Sequence, residues 1–249
     1  MSSPLSKKKT KVAAVEALMM MAFLLALASA AASSQPMPTP ANLTLHNLCP
    51  FPVWPLVTAN AGVPSVPTDA NGDPAGQRLD GNGSGLATLS FPPGAWSGRV
   101  VARTGCAIDG DDAGYEIVGR CATGDAPPVT VAQVSVGGGP EGDRASYSVS
   151  LVDGFNVAVV VTPHGFPEGR RCPTLGCAVD LAADCPVGAR GPRGGCSSQA
   201  AAWFKARCPD TRTNATDVEA TPQDCVAPGE IKVVFCPKPD SVAGHASLA

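Results

Sequence analysis

The chain has 249 residues, 16% of them charged, with a formal net charge of −3 at pH 7. This length suits one large domain, or one domain with small appendages. Without the N-terminal segment described next, fourteen basic and twenty acidic side chains remain, and only three of the basic ones are lysines. Such an acidic, lysine-poor surface argues against nucleic acid and anionic lipid as partners, because both need a basic footprint. Carbohydrate or another protein fits better.

The N-terminus has the layout of a secretory signal peptide. Four lysines from Lys7 to Lys11 precede the apolar run Leu18–Leu27 and a stretch of small residues, with cleavage predicted after Ala30 or Ala32. The apolar core of about 15 residues is short for a membrane span, which needs about 20. We therefore predict a signal peptide over residues 1–32, a secreted domain over 33–237 and a C-terminal tail over 238–249.

The secreted part alternates short apolar segments with turns rich in Gly and Pro. This density of short strands predicts a β-sandwich rather than a helical or alternating α/β fold. The unbroken β-branched run Val157–Thr162 predicts a strand buried on both faces, Gly62–Gly85 predicts a long loop, and Ser198–Arg207 is the helix candidate. The other strands are predicted, in chain order, at Leu43–Asn47, Val53–Trp54, Leu86–Phe91, Arg99–Arg103, Val129–Val136, Ala145–Val152 and Ile231–Phe235.

All ten cysteines follow the signal segment. An even number in an oxidising compartment predicts disulfide bonds. Zinc does not fit, because no C-x2-C pair occurs and the three histidines lie far from the cysteine cluster. Six of the ten lie between Cys172 and Cys225, where few large apolar residues occur, so this stretch needs disulfides to hold its shape. Spacing alone leaves the connectivity open.

Motifs of known chemistry are scarce. The chain has neither a G-x-S-x-G nor an H-E-x-x-H sequence, and we predict no cofactor and no metal. The acidic group Asp109, Asp111 and Asp112 lacks the spaced ligands of a calcium loop and is interpreted as a solvated turn. A glycosidase needs only two carboxylates, so the sequence leaves that reaction open. Three N-x-[ST] sequons predict N-glycosylation at Asn42, Asn82 and Asn214, with Asn82 in its Gly-rich loop favoured.

Segments spread from about Ala41 to Pro237 follow the motif order of one family. Residues Asn47–Trp54 resemble the opening N-N-C-P-[YF]-x-V-W of the thaumatin-like plant defence proteins, the thaumatin/osmotin family of pathogenesis-related proteins. The most specific further matches are R-T-G-C, S-L-V-D-G-F-N and C-P-D. The matching segments are Arg78–Asp80, Arg99–Cys106, Gly119–Asp125, Ser150–Asn156, Cys177–Asp180, Phe204–Asp210 and Val233–Pro237.

The resemblance implies a flattened antiparallel β-sandwich with disulfide-rich loops and one short helix. Larger family members have more cysteines, so this chain resembles the small subgroup, whose disulfide-rich subdomain, here residues 178–208, is cropped. The family pairing uses every cysteine of the chain. It implies the bonds Cys49–Cys236, Cys106–Cys121, Cys172–Cys225, Cys177–Cys208 and Cys185–Cys196.

The resemblance also implies a binding cleft, which in antifungal members is acidic and proposed to bind β-glucan or a membrane receptor. Arg99 and Asp153 match two of its residues. Gln133 and Ser148 stand where the family has acids, and the last acid falls on Asp210 or Asp217 because that loop aligns poorly. The expected ligand-binding residues are Arg99, Gln133, Ser148, Asp153 and Asp210.

Three of these residues also have a structural interpretation. Arg99 fits an ordinary solvated or ion-paired surface group. Asp153, which precedes Gly154, fits a turn. Asp210, which follows Cys-Pro, fits a turn or a helix cap.

The implied function is that of a secreted, monomeric, non-enzymatic defence protein. It would act in the apoplast, or in the vacuole if the tail is a sorting signal, and its partner is fungal β-glucan or a microbial surface protein. One alternative is an inhibitor of a microbial xylanase or another wall-degrading glycosidase, acting through the Gly62–Gly85 loop. A second is a weak endo-β-1,3-glucanase, which the lost acids disfavour because Gln133 cannot donate a proton to a glycosidic oxygen.

Overall fold

The computed structural model describes residues 42–63, 65–111, 114–137, 144–218, 220–222 and 224–238. The predicted signal peptide and residues 239–249 of the predicted tail lie outside this set, and so does Asp112. Within these ranges, no helix has both the length and the hydrophobicity needed to cross a bilayer.

The described residues form eleven strands, one α-helix and two short 3-10 helices. The helix α1 (Ala201–Arg207) follows directly on the 3-10 turn Ser198–Ala200, and the other 3-10 turn is Val187–Ala189. The strands are β1 (Asn42–Asn47), β2 (Trp54–Ala59), β3 (Gly85–Ser90), β4 (Trp96–Arg103), β5 (Ile108–Asp111), β6 (Gly114–Ile117), β7 (Val131–Val136), β8 (Ala145–Ser150), β9 (Val159–His164), β10 (Leu175–Cys177) and β11 (Glu230–Phe235).

Two sheets enclose the main core. One has the strand order β10-β9-β11-β1-β3 and the other β2-β4-β7-β8, while β5 and β6 form a separate hairpin. Period-two alternation decides what is buried: on β4, Val100 and Ala102 point into the core and Arg99 points outward. Side chains from both sheets share one cluster of buried residues, including Trp96 and Phe235. The predicted mainly β sandwich with one short helix is confirmed.

The first and last strands run side by side. β1 pairs in parallel with β11, whereas all other pairs of these strands in the described residues are antiparallel. Both strands therefore end at the same edge of the sheet, where Cys49 and Cys236 form a disulfide. The expectation of antiparallel pairing needs this one correction: β1 and β11 are parallel, and this arrangement brings Cys49 and Cys236 together.

Three strands are not predicted from the sequence. β10 has only three residues, and β5 and β6 have four each, too few for an alternating pattern to stand out. Asp109 and Asp111 belong to β5, so their interpretation as a solvated turn is wrong. The Cys106–Cys121 disulfide joins the segments that enter and leave this hairpin.

A second, smaller core lies beneath α1 and the neighbouring loops. It contains eleven buried residues, among them Phe155, Leu181 and Phe204. Two disulfides cross it, and the described residues contain no free cysteine. The pairing coincides with the one implied by the family resemblance: Cys49–Cys236, Cys106–Cys121, Cys172–Cys225, Cys177–Cys208 and Cys185–Cys196.

Candidate functional site

Three of the five candidate residues lie in one row on the outer face of the four-stranded sheet. Arg99 on β4 is paired with Gln133 on β7, and Gln133 is paired with Ser148 on β8. Directly paired residues of neighbouring strands point to the same side, with their Cβ atoms about 5 Å apart. The three side chains therefore line up across the sheet.

Two further rows flank this one in the same strands. Ser97, Ser135 and Ser146 form the row on one side, and Val101, Val131 and Ser150 the row on the other. No carboxylate occurs in the three rows, and Arg99 is their single charged group. We call these nine residues the polar face: Ser97, Arg99, Val101, Val131, Gln133, Ser135, Ser146, Ser148 and Ser150.

The solvent exposure of the side chains in the central row decreases from β4 to β8. Arg99 is exposed and Gln133 half-buried, whereas Ser148 is only 2% exposed. The side chains of Arg99 and Gln133 make no hydrogen bond or ion pair with another of the described residues. Their polar groups are therefore available to a ligand, while Ser148 contributes to the packing beneath it.

The 209–217 segment borders the polar face next to β8. Arg212 forms a parallel β-bridge with Ser150. The backbone amide of Arg212 donates to the Val149 carbonyl at 3.1 Å, and its carbonyl accepts from the Leu151 amide at 2.7 Å. The Arg212 guanidinium turns back on its own loop and donates to two backbone carbonyls. The segment therefore extends the sheet beyond β8 and limits the polar face on that side.

Asp217 holds this segment in shape. Its Oδ2 accepts from the Thr213 hydroxyl at 2.7 Å and from the Thr213 amide at 2.8 Å, and it lies 3.6 Å from Lys205 Nζ. The Thr213 hydroxyl and amide, followed by the Lys205 charge, lower the pKa of Asp217 to about 2. Asp217, one of the two candidates for the last cleft acid, is therefore engaged within its own loop.

The other two candidates, Asp153 and Asp210, lie at the margin of the polar face. The carbonyl of Asp153 accepts from the Val129 amide at 3.0 Å. Val129 precedes Gln133 by four residues, which is about 13 Å along a strand. Asp153 lies in the turn Leu151–Gly154, and Asp210 in the turn that precedes the pairing with β8. Both side chains are exposed, and both positions agree with the structural interpretation of these residues as turn formers.

Asn156 positions the strand ends below the polar face. Its side-chain nitrogen Nδ2 donates to the Ala102 carbonyl at 2.8 Å and to the Thr123 hydroxyl at 3.0 Å. Its Oδ1 accepts from the Thr130 backbone amide at 2.9 Å. One side chain thereby ties together the ends of β4 and β7 and the loop after β6. Asn156 lies in the family motif Ser150–Asn156, but the sequence predicts no role for its side chain.

Two shallow pockets lie away from the candidate residues. The larger, of about 50 Å³, lies beside Arg120, Asp125 and Arg193, and the smaller, of about 30 Å³, lies under the Gly62–Gly85 loop. None of the five candidates lines either of these pockets, and the accessible part of the polar face consists of Arg99, Gln133 and the row Ser97, Ser135 and Ser146. No group of three His, Cys, Asp or Glu side chains suited to a metal ion occurs among the residues described.

The three sequons differ in accessibility. Asn82 is exposed in a turn with φ of +59°, and Asn214 is exposed with its Oδ1 accepting from the Thr216 amide and hydroxyl. Asn42 is half-buried at the start of β1, between two paired strands. Glycosylation stays a prediction, for which Asn82 and Asn214 offer the open sites.

Apart from Ser148, the serines of the polar face are the residues that the sequence does not identify. Ser135 and Ser146 occur in period-two segments, which indicates that they lie on the same face of their strands as Gln133 and Ser148. The sequence does not indicate which strands are neighbours or in which register. That information comes from the pairing of β4 with β7 and of β7 with β8.

Comparison with known proteins identifies the family. Residues 47–203 match the Thaumatin family. An osmotin-like protein of Solanum lycopersicum is 36% identical over 78% of this chain and 88% of its own length. Pathogenesis-related protein 5 of Arabidopsis thaliana is 39% identical over 58% of this chain and 57% of its own, and a Prunus avium protein named glucan endo-1,3-beta-glucosidase is 32% identical over 59% and 58%.

Among solved structures, a thaumatin-like xylanase inhibitor covers 78% of this chain and 99% of its own, with a TM-score of 0.44 and 23% identity. That score is too low to support a functional argument. The family match over more than half of the chain and the extended similarity to the tomato protein establish the relationship. The chain belongs to the thaumatin family.

Proposed function

We propose that the chain is a secreted, non-enzymatic defence protein that binds a wall polysaccharide or a surface protein of a microbe through the polar face. Fungal β-glucan is the first ligand to test. The observation that carries this proposal is the pairing of Arg99 with Gln133 on the outer face of the four-stranded sheet, where neither side chain has a partner among the described residues. The side-chain amide of Gln133 and the hydroxyls of the row Ser97, Ser135 and Ser146 both donate and accept hydrogen bonds, as the hydroxyl groups of a sugar require.

Hydrolysis is a less suitable activity for this surface. Glycoside hydrolysis needs two carboxyl groups on opposite sides of the scissile bond, and the polar face carries none. Asp153 and Asp210, the acids at its margin, lie in turns outside the three rows. The activity named for the Prunus avium relative makes weak endo-β-1,3-glucanase activity an outcome to test.

A binding assay with insoluble β-1,3-glucan tests the proposal. We expect the secreted form to bind, and Gln133→Ala to bind about three- to tenfold more weakly because one or two hydrogen bonds are lost. Lys232→Ala is the control, since Lys232 lies on β11 in the other sheet and points away from the core. Failure to bind both β-glucan and fungal wall preparations contradicts the proposal. Release of reducing sugar from laminarin contradicts its non-enzymatic part.

The Gly62–Gly85 loop supports a second candidate, inhibition of a microbial wall-degrading glycosidase such as a xylanase. The loop is anchored to the sandwich at two places. Thr68 exchanges backbone hydrogen bonds with Ser90, at 2.7 and 3.2 Å, and the Trp96 indole nitrogen donates to the Ser65 carbonyl at 3.0 Å. A loop that is ordered before binding loses little conformational entropy in a complex, which favours a protein contact.

The tip of the same loop has a fixed shape as well. Asp69 Oδ1 accepts from the amides of Asn71 at 2.8 Å and Asp73 at 2.9 Å, and these bonds, the one from Asp73 first, lower the pKa of Asp69. We expect Asp69→Ala to loosen the tip and to weaken xylanase inhibition, if inhibition occurs, without changing glucan binding. Inhibition that is unchanged after deletion of the loop tip contradicts this candidate.

A further inference from the structure

The polar face combines a regular array of neutral hydrogen-bonding groups with one positive charge, Arg99, on its β4 side. Arg99 is flanked in its own row by Thr58 on β2 and Gln133 on β7, both neutral. The acidic groups next to this surface, Asp153 and Asp210, lie at its margin, and Asp217 is engaged with Thr213. A chain with an excess of acidic over basic groups therefore keeps this one sheet face free of carboxylates.

The side chains of the polar face determine which interactions can contribute to ligand binding, and therefore which class of ligand fits. Most small-molecule sites are lined by hydrophobic and aromatic groups, and the polar face contains no aromatic side chain. Binding must therefore come from hydrogen bonds and from the Arg99 charge. A guanidinium holds a carboxylate or a phosphate through two parallel hydrogen bonds, and a carboxylate is the anionic group that uronic acids carry.

We propose that the polar face binds an acidic polysaccharide, with the carboxylate of a uronic acid unit paired to Arg99. This inference rests on the proposed function and names the ligand class of the same surface. Neighbouring strands lie about 4.8 Å apart, which is close to the length of one sugar unit in an extended polysaccharide. A glycan that crosses the strands places successive sugars over β4, β7 and β8, so that their hydroxyls contact Gln133 and the serines of the row Ser97, Ser135 and Ser146.

The same geometry favours a polysaccharide over an acidic protein surface. The polar face repeats its hydrogen-bonding groups at the strand spacing, whereas protein interfaces depend on a few large anchoring side chains in pockets. None of the nine residues lines the pocket beside Arg120 or the pocket under the Gly62–Gly85 loop. The ligand is therefore expected to be an extended polymer with regularly spaced hydroxyls and a carboxylate.

The test compares three glycans on the secreted form: unesterified oligogalacturonate, its fully methyl-esterified counterpart of equal length, and laminarin. We expect the unesterified glycan to bind best, and its affinity to fall as salt is raised. Arg99→Gln should weaken that binding at least about tenfold, the effect of losing hydrogen bonds to a charged group. Lys232→Gln removes the same charge from the outer face of the other sheet and should change affinity less than twofold.

The outcomes separate the inference from the proposed function. If laminarin binds and oligogalacturonate does not, polysaccharide binding stands and the acidic ligand is overturned. Equal affinity for the esterified and unesterified glycans, or equal losses in Arg99→Gln and Lys232→Gln, also overturns the inference. If none of the glycans binds, and an acidic microbial protein binds in an Arg99-dependent way, both the polysaccharide function and the acidic glycan are wrong.

Discussion

The sandwich and the disulfide-rich region of residues 178–208 are stabilised by different means. The main core contains 25 buried residues, of which two are cysteines. The small core contains eleven, of which four are cysteines forming two disulfides. Burial of apolar surface stabilises the sandwich, whereas the smaller core buries fewer residues and is held in addition by the two disulfides that cross it. The need for disulfides therefore rises where large apolar side chains become scarce.

The proposed binding surface depends on both regions. The polar face belongs to the sandwich, and its central strands β4 and β7 have neighbours on both sides. The 209–217 segment, which borders the face, begins directly after Cys208 and is held by the disulfide to Cys177. We therefore expect a rigid binding face with a border whose position depends on the disulfide-rich region.

Removal of the Cys49–Cys236 bond should have the largest effect on stability. The two cysteines are 187 residues apart, so Cys49→Ser with Cys236→Ser frees almost the whole domain in the unfolded state. The chain-entropy estimate for such a closed loop is about 5 kcal/mol. We expect chemical denaturation to show this loss as a lower free energy of unfolding of the sandwich. A loss below about 1 kcal/mol would mean that the parallel β1–β11 pairing alone holds the chain ends together.

Removal of the Cys185–Cys196 bond should have a smaller and more local effect. The closed loop spans 11 residues, for which the same estimate gives about 3 kcal/mol. In the Cys185→Ser/Cys196→Ser variant, we expect faster amide hydrogen exchange around Leu181 and Phe204, while Val100 and Val134 in the sandwich stay protected. Equal acceleration in both regions would show that they unfold as one cooperative body and would remove the distinction drawn above.

The same contrast explains what the sequence predicts about the fold. The strands that it locates, such as β7 and β8, alternate polar and apolar residues because one of their faces packs in the main core. In the hairpin β5–β6, Ile108 is exposed, and the four-residue strands contain glycine and acidic residues instead of alternating apolar ones. Its position depends on a disulfide, and cysteine spacing alone does not reveal which cysteines pair.

The candidate site could be predicted only residue by residue. The resemblance selects Arg99, Gln133 and Ser148 from three distant segments, and strand register turns them into a row. The resemblance does not decide whether Asp210 or Asp217 is the last cleft acid, because the two residues differ in their hydrogen bonds. Asp217 accepts hydrogen bonds from Thr213, whereas the Asp210 side chain is exposed. Such loop contacts have no periodic signal in a sequence.

The smallest expected effect concerns the border of the polar face at low pH. The pKa of Asp217 is lowered to about 2 in the folded protein, against about 3.9 for an unperturbed aspartate. A carboxyl with a depressed folded-state pKa contributes stability above the unfolded value, and this contribution is lost as the pH falls from about 4 to about 2. The 209–217 segment should therefore loosen in that interval while the sandwich stays folded.

An NMR titration of the Thr213 amide, which donates to Asp217, measures this change directly. We expect a midpoint near pH 2, loss of the titration in Asp217→Asn, and an unchanged midpoint in the control Asp210→Asn, whose side chain is exposed. A midpoint near pH 4 would mean that the hydrogen bonds from Thr213 do not favour the ionised form in solution. The amide of Gln133 should not titrate in the same interval, since the polar face lacks carboxylates; if it does, the border and the face are coupled, and the two regions are less independent than their cores indicate.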